Sequence, residues 1–241
     1  MNAQYVIPKK AISYSLFQRT AYLKYTHSLL YRAIRKISPI SLYKQTVQLE
    51  SVFRSEKITS LYMADMEREY LNIKNHLPEI CESIVDVGCG IAGINIFLNQ
   101  HYKDKAVQFF LLDKSKVEDN VFYLFKPKGA FYNSLELAGD VLKANGIPQE
   151  NIHLVEANDK NEMNIKQNVD LIISLISWGF HYPISTYLER AYELLNAEGR
   201  LIIDVRKNTD GEEALVRLFG NVEVIDETDT RKRFVAVKKG I

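Results

Sequence analysis

A chain of 241 residues, 46% hydrophobic and 25% charged, has the balance of an ordinary globular protein and the length for one α/β domain with a modest extension. Its formal charge of +1, from 31 basic and 30 acidic residues, gives no bulk argument for a nucleic-acid partner. Cys81 and Cys89, the only two cysteines, have neither metal-ligand spacing nor a disulfide framework, and no apolar run approaches the ~20 residues that span a bilayer, so the cytoplasm is the expected compartment.

The charge is unevenly spread. No Asp or Glu occurs before Glu50, whereas Lys9, Lys10, Arg19, Lys24, Arg32, Arg35, Lys36 and Lys44 all do. A secretory signal is not expected, because the stretch lacks a compact apolar core and a small-residue cleavage site. It has the basic, acid-poor character of a transit peptide, but its helical pattern assigns it to the fold. Leu16, Thr20, Leu23, His27, Leu30, Ile34 and Ile37 fall on one face at three- and four-residue steps, which predicts a helix over 16–37 ending at Ser38-Pro39. Three uses are open: a packed cap with a solvated basic face, a docking face for an anionic substrate, and a helix resting on an anionic membrane through residues 15–37. His27, on the apolar stripe, reads as a core histidine. A second helical region is predicted over 50–77, closed by Pro78, with Tyr62, Asp65 and Tyr70 as ligand contacts or plain packing residues.

Residues 84–93 read I-V-D-V-G-C-G-I-A-G, and apolar residues resume at helical spacing from Ile94. A buried strand, a glycine turn and a helix start in that order make a site for a nucleotide-like ligand. Gly88 suits a tight turn, Gly90 a close ligand approach, and Gly93 close packing of helix on strand. These letters satisfy the G-x-G-x-x-G dinucleotide fingerprint, a weak signal alone. Asp86, two residues before the first glycine, would repel a pyrophosphate and suits a cationic ligand. With Asp86 the stretch resembles the D-x-G-x-G-x-G motif of class I S-adenosylmethionine (SAM)-dependent methyltransferases, which wraps the methionyl end and ribose. The resemblance implies contacts from Asp86, Gly88, Cys89, Gly90, Ala92 and Gly93.

The next predicted strand, V-Q-F-F-L-L-D, ends in Asp113, 20 residues beyond Gly93, where an acid accepts hydrogen bonds from both ribose hydroxyls. Lys114 follows it. Residues 114–128 are polar and irregular, and a helix over 134–145 stops at Gly146 and Pro148. The third strand covers 152–156. In the family the residues just after it meet the adenine, which makes Asn158 and Asp159 candidates, with a strand-capping turn as the alternative. The fourth strand, over 170–175, is continuously apolar as a strand buried on both faces should be, and carries Ser174 as a further cofactor contact.

It leads into the loop I-S-W-G-F-H-Y-P. A ligand at the carboxyl edge of the sheet brings its reactive end to this loop. His181, with an ordinary pKa near ~6.5, is the candidate general base for a hydroxyl acceptor, and Tyr182 is the reserve. Trp178 and Phe180 line an acceptor pocket or fill core. The loop is not the N/D-P-P-Y/F motif of enzymes that methylate exocyclic amines of bases, which argues against DNA. A helix over 186–195, an exit turn at 196–199, a fifth strand over 200–206, a helix over 211–219 and strands over 222–227 and 233–239 complete the pattern. Two strands joined that tightly must pair antiparallel.

The expected architecture is a helical cap, residues 1–79, before a methyltransferase domain, residues 80–241. The domain is α/β: a doubly wound, mostly parallel sheet of seven strands in the order 3-2-1-4-5-7-6, the last strand antiparallel. The resemblance, nearest in character to bacterial small-molecule and sugar O-methyltransferases, implies SAM as cofactor and S-adenosylhomocysteine as product; no metal is expected, because the sequence shows no metal-ligand cluster. It also implies O- rather than N-methylation, on a hydroxyl of a sugar or surface-glycan precursor. The basic cap would suit a phosphorylated or nucleotide-linked acceptor. An RNA- or protein-directed enzyme that docks through the cap, and a SAM-binding partner protein without catalysis, are the alternatives. Oligomeric state stays open.

Overall fold

A computed structural model describes residues 5–25, 39–115, 122–123, 126–127, 133–158 and 160–240. In chain order these form α1 (Lys9–Gln18), α2 (Pro39–Phe53), α3 (Ser55–Ile73), β1 (Ser83–Val87), α4 (Gly93–His101), β2 (Gln108–Asp113), the two-residue strands β3 (Phe122–Tyr123) and β4 (Lys126–Pro127), α5 (Leu135–Ala144), β5 (Ile152–Glu156), β6 (Val169–Ser174), β7 (Ser177–Tyr182), α6 (Leu188–Leu194), β8 (Leu195–Arg206), α7 (Gly211–Phe219), β9 (Val222–Glu227) and β10 (Arg231–Val237).

Seven strands make one sheet in the order β5-β2-β1-β6-β8-β10-β9, which is 3-2-1-4-5-7-6 by their sequence in the chain. β10 runs antiparallel to both β8 and β9, and the remaining pairings are parallel. Side chains alternate between the two faces with the period of two that strands impose. Ile84, Phe109, Leu111, Leu171 and Ile173 join one apolar cluster, while Val85, Val87, Phe110, Leu112 and Ile172 join the other. The first cluster also holds Leu16 of α1, Ile58 and Ile73 of α3 and Phe97 of α4, so the helices before residue 80 pack in the same core as the sheet. The second is closed by Leu188 and Leu194 of α6 and Leu215 and Phe219 of α7. Asp86 and Asp113 continue the alternation of the first face. Their carboxylates therefore point toward the N-terminal helices.

Arg233 of β10 has no exposed surface and binds Asp204 of β8 through two bonds, Nε to Oδ1 at 2.8 Å and Nη2 to Oδ2 at 2.9 Å. The same guanidinium reaches Glu69 Oε2 at 2.7 Å and Asn72 Oδ1 at 3.0 Å, both on α3. Arg200 of β8 donates to the carbonyl of His76 at 2.7 Å. The helical cap is thus tied to the antiparallel edge of the sheet by buried charge.

Several expected boundaries move. The helix expected over 16–37 begins instead at Lys9, after Pro8 (φ −54°), and stops at Gln18. Arg19 leaves helical geometry (φ −128°, ψ 77°), and its side chain turns to Asp65 of α3, a tertiary contact that overrides the helical period. A single 3₁₀ turn follows at Thr20–Tyr22, and His27, Arg32, Arg35 and Lys36 lie outside the described residues. The helix expected over 50–77 is divided at Arg54, whose guanidinium binds Glu50 and donates to the Tyr22 carbonyl at 3.0 Å. The loop expected at 177–182 is extended, as β7. The helix expected over 186–195 is a 3₁₀ turn, Ile184–Thr186, followed by α6. The expected exit turn is absorbed into β8, where Glu198 takes φ 63° and its N–H bonds the Lys238 carbonyl. No helix of the described residues is long and apolar enough to cross a membrane.

Candidate functional site

β1 ends by pairing with β2, and the Gly88 N–H donates to the Leu112 carbonyl at 2.7 Å. The chain then turns through Gly88 at φ 74°, a conformation that penalises any residue with a Cβ. A Cβ there would also overlap the hydroxyl of Ser177 from β7, so this glycine is required twice over. At Gly90 an added Cβ would come within 2.6 Å of Gln18 Oε1, and at Gly93 it would run into the ring of Tyr62. The Tyr62 hydroxyl accepts the Gly93 N–H at 3.1 Å, answering one of the amides that the start of α4 leaves open. Side chains of α1, α3 and β7 therefore meet on the glycine turn.

Beneath them lie two carboxylates. Asp86 is 4% exposed and accepts from Asn95 Nδ2, in the first turn of α4, at 2.6 Å. Asp113 is 8% exposed and accepts from the backbone N–H groups of Gly90 at 2.8 Å and Lys114 at 2.7 Å. Among the described residues no Lys or Arg makes an ion pair with either acid. Burial is the main cause that pushes each pKa up to about 7, against the hydrogen bonds that lower it. Both acids therefore titrate in the physiological range. Two amides nearby are incompletely used. Asn95 Oδ1 is buried and accepts no hydrogen bond among the described residues. Asn133 lies close enough to Asp113 to lower its pKa, yet its buried Nδ2 completes no hydrogen bond among the described residues.

β7 closes the carboxyl edge of the sheet. Ile176, just before it, sits at φ 54°, a costly conformation for a β-branched residue. It is held there by a bond from its N–H to Asp204 Oδ2 at 3.0 Å. Ser174 donates to the Val87 carbonyl at 2.8 Å and accepts from the Trp178 N–H at 3.0 Å. The His181 ring stands edge-on to Phe180 at 5.1 Å, and the Arg206 guanidinium lies 5.5 Å from the Phe180 centroid. Burial and the Arg206 charge lower the His181 pKa to about 4. Burial raises the Tyr182 phenol well above its usual range, with Tyr187 and Asp113 adding to the shift.

No protein-family model matches the chain, and no curated protein matches it. Solved structures do. A precorrin-6y C5,15-methyltransferase from Geobacter metallireducens superposes with a TM-score of 0.50 at 17% identity, over 72% of this chain and 88% of that one. A 16S rRNA N2 G1207 methyltransferase from T. thermophilus, in complex with AdoMet and guanosine, gives 0.48 at 13% identity, over 75% of this chain and 43% of that one. A methyltransferase from Pyrococcus furiosus gives 0.47 at 16% identity, over 72% and 83%. The fold is that of the class I SAM-dependent methyltransferases.

Within the methyltransferase fold the sequence-predicted residues divide into two groups. Asp86, Gly88, Cys89, Gly90, Ala92, Gly93, Asp113 and Lys114 are brought together around one turn, where Ala92 takes φ 59° to start α4 and the Cys89 thiol is buried and held neutral. Others are spent on the fold. Trp178 is fully buried, with its indole N–H on the Ile184 carbonyl at 2.8 Å, so it fills core and lines no acceptor pocket. Ser174 uses its hydroxyl to join β1 to β7. Asn158 closes its own loop, accepting from Lys160 N and Glu162 N and donating to Glu162 Oε2 at 2.8 Å, so its amide is committed before any adenine arrives. Asp159 lies outside the described residues. Burial keeps the Tyr182 phenol protonated, which removes it as the reserve base. Sequence reasoning missed Gln18, Asn95, Asn133, Ser177 and Arg206 as site residues. Of these only Asn95 left a signal, a lone amide in the apolar run I-N-I-F-L.

Proposed function

We propose that the chain is a SAM-dependent methyltransferase acting on a hydroxyl of a small molecule. The observation that carries this reading is the pair of buried carboxylates, Asp86 and Asp113, facing a glycine turn with no Lys or Arg paired to them among the described residues. A buried charge left without a partner is costly, so the pair calls for a ligand that brings positive charge and hydroxyl donors. A pyrophosphate brings neither. The residues present fit SAM: Asp86 would hold the ammonium of the methionyl part and Asp113 the ribose hydroxyls. SAM, when bound, supplies an activated methyl group.

The protein's own work is then to align the acceptor and to take its proton. His181 suits the proton transfer. With its pKa near 4 it is in the neutral, proton-accepting form throughout the physiological range, though as a weak base, so alignment of the acceptor carries more of the rate than proton removal does. Arg206, which lowers that pKa, also stands where it would favour an anionic oxygen. The sugar or glycan-precursor acceptor rests on the resemblance of the loop and on the acid-free segment before Glu50, which suits a phosphorylated or nucleotide-linked compound.

Incubation with methyl-labelled SAM and a panel of free, phosphorylated and nucleotide-linked sugars is expected to put label on oxygen. Label found only on nitrogen, in RNA or in protein, would contradict the reading. With the true acceptor, His181→Ala is expected to lower kcat about 100-fold. With SAM saturating, so that Asp86 and Asp113 are already ionised, the wild-type kcat/KM for the acceptor should stay level down to about pH 5 and fall below it, because the base form of His181 is lost only as the pH drops through about 4. A wild-type limb near the ordinary histidine value of ~6.5 would mean that another group takes the proton.

A further inference from the structure

The methionyl end of SAM is a zwitterion, and Asp86 and Asp113 answer only half of it. Asp86 would face the ammonium, while neither acid nor the glycine turn supplies a cation for the carboxylate. We infer that Gln18 and Arg19, the residues at which α1 ends, form the subsite for that carboxylate, with the guanidinium as its counter-charge. The inference rests on the SAM reading.

Three observations carry it. First, α1 stops at Gln18, and the two neighbouring side chains run to elements that border the glycine turn, Gln18 to Gly90 and Asn133 and Arg19 to Asp65 of α3. Gln18 lies on Gly90, where a Cβ would come within 2.6 Å of Oε1, and its Nε2 donates to Asn133 Oδ1 at 3.4 Å. Gly90 in turn donates its N–H to Asp113, so Gln18 lies against the residue that holds that carboxylate.

Second, Arg19 stands beside the amino end of α4. Its partner Asp65 lies one turn along α3 from Tyr62, whose hydroxyl accepts the Gly93 N–H, and Asp86 meets the same first turn of α4 through Asn95. Arg19 and Asp86 thus bring opposite charges to the two sides of that helix start. That is the charge arrangement an α-amino acid requires.

Third, Arg19 is not locked in place. Its ion pair with Asp65 is 3.5 Å long, and Asp65 also binds Arg68 and the Tyr22 hydroxyl. Asp65 therefore keeps its compensation if Arg19 turns toward a ligand. Arg19 is about one-quarter exposed, so the turn needs no repacking of core. A guanidinium also suits a carboxylate geometrically, because its fork donates two parallel hydrogen bonds.

The test uses two ligands that share a nucleoside and thioether and differ in the amino-acid end: S-adenosylhomocysteine and 5′-deoxy-5′-methylthioadenosine. Calorimetric Kd values are measured for the full chain and for Arg19→Gln and Arg19→Lys. Arg19→Gln is expected to weaken S-adenosylhomocysteine by about 10-fold or more and leave methylthioadenosine unchanged, and Arg19→Lys to restore part of the loss. Equal weakening of both ligands, or of neither, would overturn the carboxylate subsite while the SAM reading stands. If Arg19→Gln does not fold, the lysine variant still decides, since a point charge without the fork should weaken only the amino-acid ligand. Failure of the wild-type chain to bind either ligand would overturn both the subsite and the SAM reading.

Discussion

Asp86→Asn is expected to abolish useful binding of S-adenosylhomocysteine while making the empty protein more stable at pH 8. The two effects share one cause. Asp86 is nearly sealed from water and receives one hydrogen bond, from Asn95, so its ionised form is poorly compensated. An amide at this position accepts the same bond, carries no charge, and offers a donor where Asn95 Oδ1 has no partner among the described residues. The pH dependence follows from the direction of the shift. Asp86 has a folded pKa near 7, above its unfolded value, so the folded protein holds a proton that the unfolded chain releases. Its contribution to stability is then lost as the pH rises from about 4 to about 7. The gain in Tm from Asp86→Asn should therefore be full above pH 7 and shrink as the pH falls toward 4. Binding should weaken by at least about 30-fold, the cost of removing one member of a buried, hydrogen-bonded charge pair. Thermal scans from pH 4 to 8 and calorimetry at pH 8 check both halves.

Arg233→Met is expected to be the most destabilising single change in the cap-to-sheet contact, at about 3–5 kcal/mol. It leaves the fully buried Asp204 without its two-pronged partner and the partly exposed Glu69 beside an apolar side chain of similar length. The loss in Tm should be about 10 °C for a domain of this size. The damage should also reach the site. Asp204 holds Ile176 in its left-handed conformation, and Ile176 sets the course of β7 toward Gly88 and His181. Arg231 also reaches Asp204, at 3.3 Å, so that carboxylate is not wholly abandoned. Arg233→Lys, which keeps the charge and loses the two-pronged bond, should fall between the two. A variant as stable as the wild type by urea unfolding would refute the anchoring role.

The strand order was legible because the buried parallel strands announce themselves as continuous apolar runs, and V-E-V-I-D-E and R-F-V-A-V-K-K are joined too tightly to be anything but a hairpin. The glycine turn and Asp113 were legible because each needs a particular residue type at a fixed separation. What could not be read depended on distant partners. Arg19 leaves a good helical period, and its side chain lies by Asp65, 46 positions later, a neighbour the local pattern does not reveal. Glu50 and Arg54 divide one helical region into two by binding across to Tyr22 and to the N–H groups of Lys24 and Tyr25. The loop after β6 reads as irregular, yet Ser174 at the end of β6 and the distant Asp204 hold it extended. Shorter-range bonds moved Trp178 and Asn158 from expected site positions into the framework: the Trp178 indole goes to Ile184 and the Asn158 amide to Lys160 and Glu162. Arg206 gave no local sign that it would sit beside His181.

The central claim is that two buried acids wait for a cationic nucleoside. The most direct measurement is calorimetric titration of S-adenosylhomocysteine into the full chain at pH 6.5, repeated in two buffers of different ionisation enthalpy and with NAD(H) as the comparison. Binding that releases about one proton, as the ligand's charge draws Asp86 into its ionised form, with no binding of NAD(H), is the predicted result. Tight binding of NAD(H) with none of S-adenosylhomocysteine would contradict it.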